Sequence, residues 1–553
     1  MQTQLVERWI YWGAAFVFGM LLWAHILVLP PHEGFDETAH YSYISYLADE
    51  YQIPILGRTP LDQNVNNERF GLPKPYHSEP PFEQNNGTTY KIFFDQLSDV
   101  EREHILRKYW FTSNRSVTFK PDNEKNWEAQ HPPLYYTLMT LPYRISTEWS
   151  VGMRLLWLRF FSIMLVVVSL IFWFESIQIM PVNSFSRYIL VLSGLIILFF
   201  PSLFFDLARL GNDGLAVCLF AGIFYFLLAC YYQDGEKRFR NFLCLSIFLG
   251  LGLLTKLFFL PITIGTLGAY IWQEINRRHF SWKVLLLHLA SCFGLILLIS
   301  GWWYIWCFYQ YDAVFISDEL IRFKNIEDPL GQHLSWTAFL FQLIRNFGSF
   351  CGSFLWSGTW SWIRRPLESY LLFGPLALLI MISGYRFLRR HHKIELALWV
   401  ACFFHLIMIF GGFGYHMYLR VKYTGLGSGT GGYYLFIAWP AIGCLAAICF
   451  GNTRSLIWKY CLVFAFGCVL IFEISGWWIL LQVYAGVIEK VENVKTGIGA
   501  INLTPENLLF VLERLKDLVF PYSANVLYLC ATIMKIFLVW VAIFRYPQPT
   551  IAD

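Results

Sequence analysis

Charged side chains are scarce in this sequence of 553 residues, at 14% against 56% hydrophobic residues. Soluble domains contain about 25% charged residues, so this chain has too little polar surface to cover itself in water. Its formal net charge of +4 is also too weak to indicate a nucleic-acid partner. These shortages exclude an ordinary soluble enzyme and a nucleic-acid-binding module, and they predict an integral membrane protein.

Sequence patterns for metal and nucleotide binding are also lacking. The twelve cysteines mostly stand singly within apolar runs, and they form neither CxxC pairs nor zinc-type spacings with histidine. The chain contains no P-loop, and no GxGxxG motif follows a predicted strand. We see no internal repeat or low-complexity linker, so residues 1–553 are predicted to form one domain without a disulfide framework or a nucleotide-binding unit.

Apolar stretches of about 20 residues recur instead along the whole chain, and each can cross a hydrocarbon core of roughly 30 Å. Such stretches must be helical in lipid, because every backbone amide has to find its partner within its own segment. The first stretch is too long and too aromatic for a signal peptide, so we interpret it as a retained anchor. The prediction is an all-α membrane protein with roughly twelve spans, at 9–29, 155–180, 188–205, 215–232, 242–254, 257–272, 284–304, 370–385, 396–413, 433–450, 457–481 and 526–544.

The distribution of Lys and Arg sets the expected orientation, because short cytoplasmic loops carry an excess of both. Arg8 precedes the first span and Arg545 follows the last, which places both termini in the cytoplasm. Under this arrangement the strong basic clusters at 237–240, 277–283 and 386–393 fall on the same side. A bacterial cytoplasmic membrane is the expected location.

Two polar segments are then expected on the outer side. Residues 30–133 form a large first loop with little helical periodicity, and residues 483–524 form a second outer segment before the last span. Between the first loop and the second span, residues 134–145 are apolar but short and contain Pro142, which predicts an interfacial helix. Residues 134–545 supply the remaining spans and loops.

Ionisable residues in the outer regions suggest a reactive site. Asp36, Glu37 and His40 follow the first span, where a carboxylate near hydrocarbon has a raised pKa and can serve as a base or hold a cation. The alternative is a solvated loop whose charges simply avoid lipid. His131 precedes Pro132-Pro133, which predict an extended entry to a helix; a rigid turn with an incidental histidine is the alternative.

Two further clusters lie in turns between spans. Arg209, Asn212 and Asp213 share one short turn, where charges are costly near lipid unless they pair or bind something. Arg209 has the geometry to hold a phosphate, and Asp213 is expected to cap the following helix. Lys256 stands alone between two apolar helices, where it either binds a lipid phosphate or extends to the headgroups.

Taken in order, these stretches resemble the GT-C superfamily of membrane glycosyltransferases, in particular the bacterial branch related to protein O-mannosyltransferases and the lipid A aminoarabinose transferase. The resemblance covers about the first 300 residues. Its pieces are Asp36-Glu37 with His40, the His-Pro-Pro-Leu-Tyr-Tyr run from His131, Arg159 with Ser162, Asn212-Asp213, Leu254-Thr255-Lys256, and Trp302-Trp303-Tyr304. The later part departs from it, because Gly432-Tyr433-Tyr434 stands where relatives often carry Gly-Arg-Tyr.

The resemblance implies an inverting transfer of a sugar from a polyprenyl-phosphate donor to a hydroxyl of a glycan, lipid or protein acceptor outside the membrane. Asp36 would take the acceptor proton, with Glu37 and Asp213 as further acidic residues and His40 and Asn212 in support. His131, Arg209 and Lys256 would neutralise the departing phosphate. Whether Asp36 and Asp213 also hold a divalent cation, Mg²⁺ or Mn²⁺, stays open.

Other functions remain as alternatives. A transporter or flippase of lipid-linked sugars predicts inverted repeats and polar or broken helices at mid-membrane, whereas the ionisable residues here crowd the outer ends of the spans. A non-catalytic protein of envelope assembly leaves Asp36, Glu37 and Asp213 without a shared purpose. A polymerase or ligase of whole glycans is a variant of the same chemistry.

Overall fold

A computed structural model describes most of the chain and gives the architecture. The described residues are 2–66, 72–75, 88–112, 118–180, 195, 198, 201–353, 356–361, 363, 393–427, 429, 431–451, 456–488 and 499–545.

Nineteen α-helices account for most of the described residues. They are α1 Gln2–Val28, α2 Glu37–Glu50, α3 Tyr90–Asp95, α4 Asp99–Phe111, α5 Leu134–Ile145, α6 Val151–Gln178, α7 Pro201–Ala208, α8 Asp213–Tyr232, α9 Gly235–Leu253, α10 Phe259–Ile275, α11 Trp282–Ile296, α12 Trp302–Tyr311, α13 Asp318–Lys324, α14 Trp336–Ser353, α15 Lys393–Thr424, α16 Trp439–Gly451, α17 Leu456–Tyr484, α18 Pro505–Leu515 and α19 Pro521–Trp540. A π-helical turn, Leu297–Gly301, joins α11 to α12.

Seven of the described helical stretches are long and apolar enough to cross a membrane. They correspond to the first, second, fourth, seventh, ninth, eleventh and twelfth spans expected from the sequence. The predicted span 370–385 lies outside the described residues, as does most of 188–205. The spans expected at 242–254, 257–272 and 433–450 are helical but shorter or less apolar, so the count of twelve is not confirmed.

The membrane helices pack into a bundle around α8. This helix lies between α6 and α9, while α1 packs along α6 and α19, and α10 packs along α15. Val17, Leu21 and Leu22 of α1 are fully buried against these neighbours. Most of α8 and one face of α1 are therefore covered by neighbouring helices, whereas Trp9, Trp12 and Phe16 of α1 stay exposed.

The first loop, 30–133, differs from its expected irregular form. It contains α2, α3 and α4 and a small antiparallel sheet of β1 Pro60–Asp62 and β2 Pro121–Lys125. Apolar periodicity misses α2 because this helix buries polar residues as well as Tyr41, Tyr43 and Ile44. Ser42 and Ser45 satisfy their hydroxyls on backbone carbonyls of the same helix, which removes the cost of burying them.

The helix expected at 134–145 is present with the same bounds, while its interfacial location stays a prediction. His131 has an extended backbone and the helix begins directly after Pro133, because proline fixes its own φ and disfavours helix in the residue before it. The predicted turn between 242–254 and 257–272 is also present: α9 ends at Leu253, and α10 begins at Phe259.

Several chain segments meet at one end of the bundle. The amide of Phe520 before α19 donates to the carbonyl of Leu27 near the end of α1 (2.9 Å), and that of Leu134 at the start of α5 donates to Leu254 after α9 (3.1 Å). The first loop covers this end of the bundle, since Leu56 donates to the hydroxyl of Tyr311 at the end of α12 (2.9 Å).

Candidate active site

Five segments of the chain meet at this end of the bundle and bring most of the candidate residues together. Their polar side chains contact one another through the hydrogen bonds and ion pairs described below. The segments are 33–40, 126–136, 206–213, 254–256 and 433–434.

Asp36 lies immediately before α2 with a left-handed backbone, φ 57°, a conformation that Asp and Asn adopt more readily than other non-glycine residues. Its carboxylate is half-buried and accepts a hydrogen bond from the indole nitrogen of Trp127 (2.8 Å). Burial, together with the nearby Glu128 carboxylate, raises the pKa of Asp36 to about 6 against the opposing effect of Arg209. The Asp36 carboxyl therefore changes its protonation state near neutral pH, as a general base requires.

Glu37, the next residue, is in a different position. Its two carboxylate oxygens accept from Nε and Nη2 of Arg159 (both 2.7 Å), and Oε1 also accepts from the amide of Leu210 (2.9 Å). Both side chains of the ion pair are essentially inaccessible, at 0% and 1% exposure. The structure thus places Glu37 behind Asp36, where it joins α2, α6 and the 206–213 turn.

Arg209 is the most extensively bonded cation of the site. Its Nε and Nη2 donate to Asp206 Oδ1 (3.1 and 3.0 Å), Nη2 donates to Asp213 Oδ2 (2.5 Å), and Nη1 donates to the carbonyl of Phe35 (3.0 Å). Nη1 also lies 3.5 Å from Nε2 of His40. Every N–H group of the guanidinium is directed at one of these protein atoms. No N–H group of Arg209 is therefore left to donate to a phosphate.

Glycine is required beside this guanidinium. A Cβ atom on Gly211 would stand 2.4 Å from Arg209 Nη1 and 3.4 Å from His40 Nε2. A larger residue at this position would displace Arg209 from its carboxylate partners.

Asp213 does not cap the following helix as predicted. The N-cap of α8 is Asn212, which makes no side-chain capping bond. The Asp213 carboxylate instead accepts from two cations, Arg209 at Oδ2 and Lys256 at Oδ1 (each 2.5 Å). A buried carboxylate gains more from charged donors than from a backbone amide, which explains why the capping position is left to Asn212.

Lys256 reaches Asp213 from the turn between α9 and α10, and its ammonium also lies 5.1 Å from the ring centre of Tyr434. Asp213 is its one hydrogen-bond partner among the described residues. An ammonium has three donors, so N–H directions remain for a ligand. The ring of Tyr433 stacks on Phe35 (5.3 Å between centres), which brings the Gly432-Tyr433-Tyr434 segment to the site although the arginine of the relatives is missing.

His131 and His40 flank a carboxylate that the sequence analysis did not select. Glu128 Oε2 lies 3.0 Å from His131 Nε2 and 3.5 Å from His40 Nδ1. His40 Nδ1 also shares a hydrogen bond with the hydroxyl of Tyr136 (2.9 Å). Burial lowers the pKa of His40 to about 3, so its ring is neutral.

Asn212 is buried, at 1% exposure, beside Asp213. Neither its side-chain oxygen nor its nitrogen has a hydrogen-bond partner among the described residues. Leaving a buried polar group unpaired costs roughly 1–3 kcal/mol.

The residues do not fit the divalent cation that the resemblance left open. A Mg²⁺ ion takes about six oxygen ligands, but both oxygens of Asp213 already pair with cationic side chains. One oxygen of Asp36 accepts from Trp127, and no group of three or more His, Cys, Asp or Glu among the described residues is arranged to hold a metal.

Several contributing residues were missed by reasoning from the sequence. Trp127 and Glu128 belong to the short 3₁₀ turn Trp127–Gln130 just before His131, and an aromatic next to an acid ahead of His-Pro-Pro was an available pattern. Glu33 was also missed: its carboxylate accepts from the hydroxyl of Tyr90 (3.0 Å) and the amide of Ser361 (2.9 Å). It thereby joins the Asp36 segment to α3 and to residues 359–361.

Comparison with known proteins gives one family and several distant structures. A family model described as "Predicted membrane protein (DUF2142)" matches residues 17–424, which is more than half of the chain. No curated protein sequence matches significantly. The structure of ArnT from Cupriavidus metallidurans bound to undecaprenyl phosphate is 14% identical, with a TM-score of 0.46 over 97% of this chain and 78% of that one. The apo oligosaccharyltransferase of Archaeoglobus fulgidus is 14% identical, with a TM-score of 0.35 over 90% of this chain and 55% of its own.

Proposed function

This chain belongs to the DUF2142 family of predicted membrane proteins, and we propose that it transfers a sugar from a polyprenyl-phosphate donor to an acceptor hydroxyl at the outer face of the membrane. The observation that carries the proposal is the presence of a partly exposed carboxylate and a buried cation in one cluster of polar side chains. Asp36 supplies the base, and Lys256 supplies a cation with N–H groups available to a ligand.

These two groups match the two demands of such a transfer. The acceptor hydroxyl must lose a proton as it attacks, which needs a base within hydrogen-bond reach. The departing phosphate gains negative charge, which needs a cation placed where that charge develops. A donor anchored in the membrane enters from the lipid side, so no nucleotide-binding unit is required.

In the proposed reaction the acceptor oxygen bonds to the anomeric carbon while its proton moves to the Asp36 carboxylate. The bond from that carbon to the phosphate oxygen breaks on the opposite side, which inverts the configuration. Polyprenyl phosphate leaves with the electron pair and is stabilised by the Lys256 ammonium.

The other candidates have positioning roles in this proposal. The N–H groups of Arg209 are all engaged by protein atoms. Arg209 therefore positions Asp213 and the carbonyl of Phe35, and it acts on the phosphate only through Asp213 and Lys256. Glu37 holds α2 against α6 through Arg159. His131 and Glu128 lie beside Trp127 and support the base.

The test measures release of polyprenyl phosphate and transfer of radiolabelled sugar by the purified full-length protein. Asp36→Asn is compared with Asp312→Asn, a matched control, because Asp312 also has a left-handed backbone (φ 54°) and is exposed. Both variants keep a residue that tolerates this conformation.

We expect Asp36→Asn to lose about 10²–10⁴-fold in kcat, the usual contribution of a general base, while Asp312→Asn stays at the wild-type rate. Donor that remains intact with the wild-type protein would refute the transferase and favour a transporter or an assembly protein. Equal rates in both variants would refute Asp36 as the base.

A further inference from the structure

A groove between the two polar segments of the chain has no part in the chemistry above. It lies between α4 of the first loop and α18 with the turn that follows it, residues 516–520, and it encloses about 770 Å³. Ligand sites typically enclose about 300–1,000 Å³. The groove is thus large enough for several sugar rings or for one lipid headgroup.

The walls of the groove are held in place by defined contacts. A reciprocal capping box between Ser98 and Glu101 begins α4. Across the groove, Arg514 donates to Asp95 (2.7 Å), and its guanidinium lies over the rings of Phe94 and Phe510 (4.9 and 5.4 Å from their centres). The groove therefore exists before a ligand arrives, which reduces the entropy lost on binding.

Charge along the groove is balanced. Four basic and four acidic side chains line it: Arg102, Arg107, Arg514 and Lys516, with Asp99, Glu103, Glu513 and Asp517. An anionic lipid headgroup would face as many carboxylates as cations and would gain little. Carboxylates and guanidinium groups together can instead accept from and donate to the hydroxyls of an uncharged ligand.

Aromatic rings are also accessible along the groove. Phe510 is 48% exposed and Phe111 is 79% exposed, whereas Trp110 is largely buried at the floor against Phe520 (5.7 Å between ring centres). Flat apolar faces between polar groups of both kinds are complementary to sugar rings, whose C–H faces are apolar and whose edges carry hydroxyls.

The groove lies at the same end of the bundle as Asp36. The Trp110 carbonyl accepts from Ser150 at the start of α6 (2.6 Å). Tyr109, the neighbour of Trp110, packs against His32 (6.0 Å between ring centres), and His32 precedes Asp36 by four residues. A chain bound in the groove would thus approach the site from the side of the first loop.

We propose that this groove binds an uncharged carbohydrate chain, which makes the acceptor a glycan rather than a protein or a free lipid. That the bound glycan is the acceptor rests on the proposed function, whereas the binding of a carbohydrate chain follows from the groove alone. It assigns a role to the second polar segment, which contributes α18.

The first experiment measures binding, independently of catalysis. Saturation-transfer NMR is run on the full-length protein in nanodiscs with maltohexaose, cellohexaose and mannohexaose, each with and without phosphatidylglycerol in the disc. We expect at least one hexasaccharide to bind, and Phe510→Ala to weaken it roughly 3- to 10-fold, the value of one aromatic contact. Phe239→Ala, an exposed phenylalanine at the opposite end of the bundle, is the control and should bind as wild type does.

Glu103→Gln is a second variant in case Phe510→Ala fails to fold, because it keeps the shape of an exposed side chain and removes only charge. Absence of binding by all three sugars, or binding unchanged in both groove variants, would overturn the proposal. Displacement of the bound sugar by phosphatidylglycerol would also overturn it and would favour a lipid headgroup site.

The second experiment separates the groove from the transferase chemistry. Hydrolysis of the donor without acceptor should be the same in Phe510→Ala and wild type, whereas the KM for the bound hexasaccharide should rise severalfold at unchanged kcat. If wild type consumes no donor, the proposed function fails while the binding result still decides the groove. If transfer proceeds with unchanged KM in the variant, the groove proposal fails and the transferase stands.

Discussion

At the scale of single residues, Asp36 and Glu37 show how two adjacent carboxylates acquire different properties. Asp36 precedes the helix, is half-buried and has one hydrogen-bond donor among the described residues. Glu37 is the first residue of α2 and is enclosed by Arg159 and the amide of Leu210. Access and the number of donors, rather than residue type, are the reasons why Asp36 and not Glu37 is the proposed base.

Activity should therefore depend on the protonation of Asp36. Its pKa is raised to about 6, and only the carboxylate accepts a proton, so kcat/KM should rise as the pH increases through about 6. Trp127→Phe removes a hydrogen bond that favours the charged form, which raises the pKa further and shifts the acidic limb to higher pH. The pH profile of transfer measures this shift.

The control for this profile is Trp336→Phe, since Trp336 is 75% exposed on α14 and should leave the profile unchanged. An acidic limb that stays in place in Trp127→Phe would show that another group controls the rate.

Lys256 gives a second prediction at this scale, concerning metal. Because Lys256 and Arg209 already neutralise Asp213, transfer should continue at the wild-type rate in excess EDTA. Lys256→Met should lower kcat by about 10²-fold or more, since it removes the charge that stabilises the leaving phosphate. Loss of activity in EDTA with recovery on adding Mg²⁺ would contradict this assignment.

At the scale of elements, buried ion pairs join helices that are far apart in the sequence. Glu37 of α2 and Arg159 of α6 form one such pair, and Glu473 of α17 and Lys535 of α19 form another (2.5 Å). Removing one partner of a buried pair leaves an uncompensated charge, which costs more than the pair contributes. These contacts therefore specify which helices are neighbours.

Glu37→Ala should consequently destabilise the protein by about 3–5 kcal/mol, because it leaves the buried Arg159 guanidinium without a counter-charge, bonded only to the carbonyls of Leu29 and Pro30. The double variant Glu37→Leu with Arg159→Met removes the uncompensated charge and should recover part of that loss. Chemical unfolding in detergent micelles measures both, with Arg322→Ala as the control because its pair with Asp318 is largely exposed. A double variant no more stable than the single one would contradict the explanation by an unpaired charge.

At the scale of the whole molecule, the candidate residues all lie at one end of the bundle. The opposite end carries a basic cluster in which Arg277 pairs with Asp234 (2.8 Å), and Arg238 pairs with Glu274. The orientation predicted from the Lys and Arg distribution requires such a separation of the two ends, and it stays a prediction that the site faces outward.

That orientation can be tested by cysteine labelling of intact cells. Glu327→Cys, in the loop after α13, should react with a membrane-impermeant maleimide, whereas Lys237→Cys, near the start of α9, should react only after the cells are opened. The exposed Cys351 and Cys530 are first replaced by serine. The reverse labelling pattern would place the site in the cytoplasm and contradict the proposed outer-face reaction.

Much of the architecture was determined by the sequence itself. Hydrophobic stretches of membrane-spanning length identified seven helices that the structure describes as candidate spans, because the lipid interior imposes this length directly. The bounds of α5 followed from Pro132-Pro133 for a similarly local reason. Asp36, Asp213 and Lys256 were selected as candidates because charges beside apolar runs are costly and therefore conspicuous.

The partners of these charges were decided only by the tertiary structure. Arg209 pairs with Asp206 and Asp213, Glu37 pairs with Arg159, and Asp213 lies between two cations. Each of these pairings is a choice among competing donors and acceptors. Such choices depend on distances between segments up to 122 positions apart. Hydrophobic patterns indicate whether a segment is buried. The pairing of its polar side chains depends on which segments lie beside it, and these neighbours are set only when the helices pack.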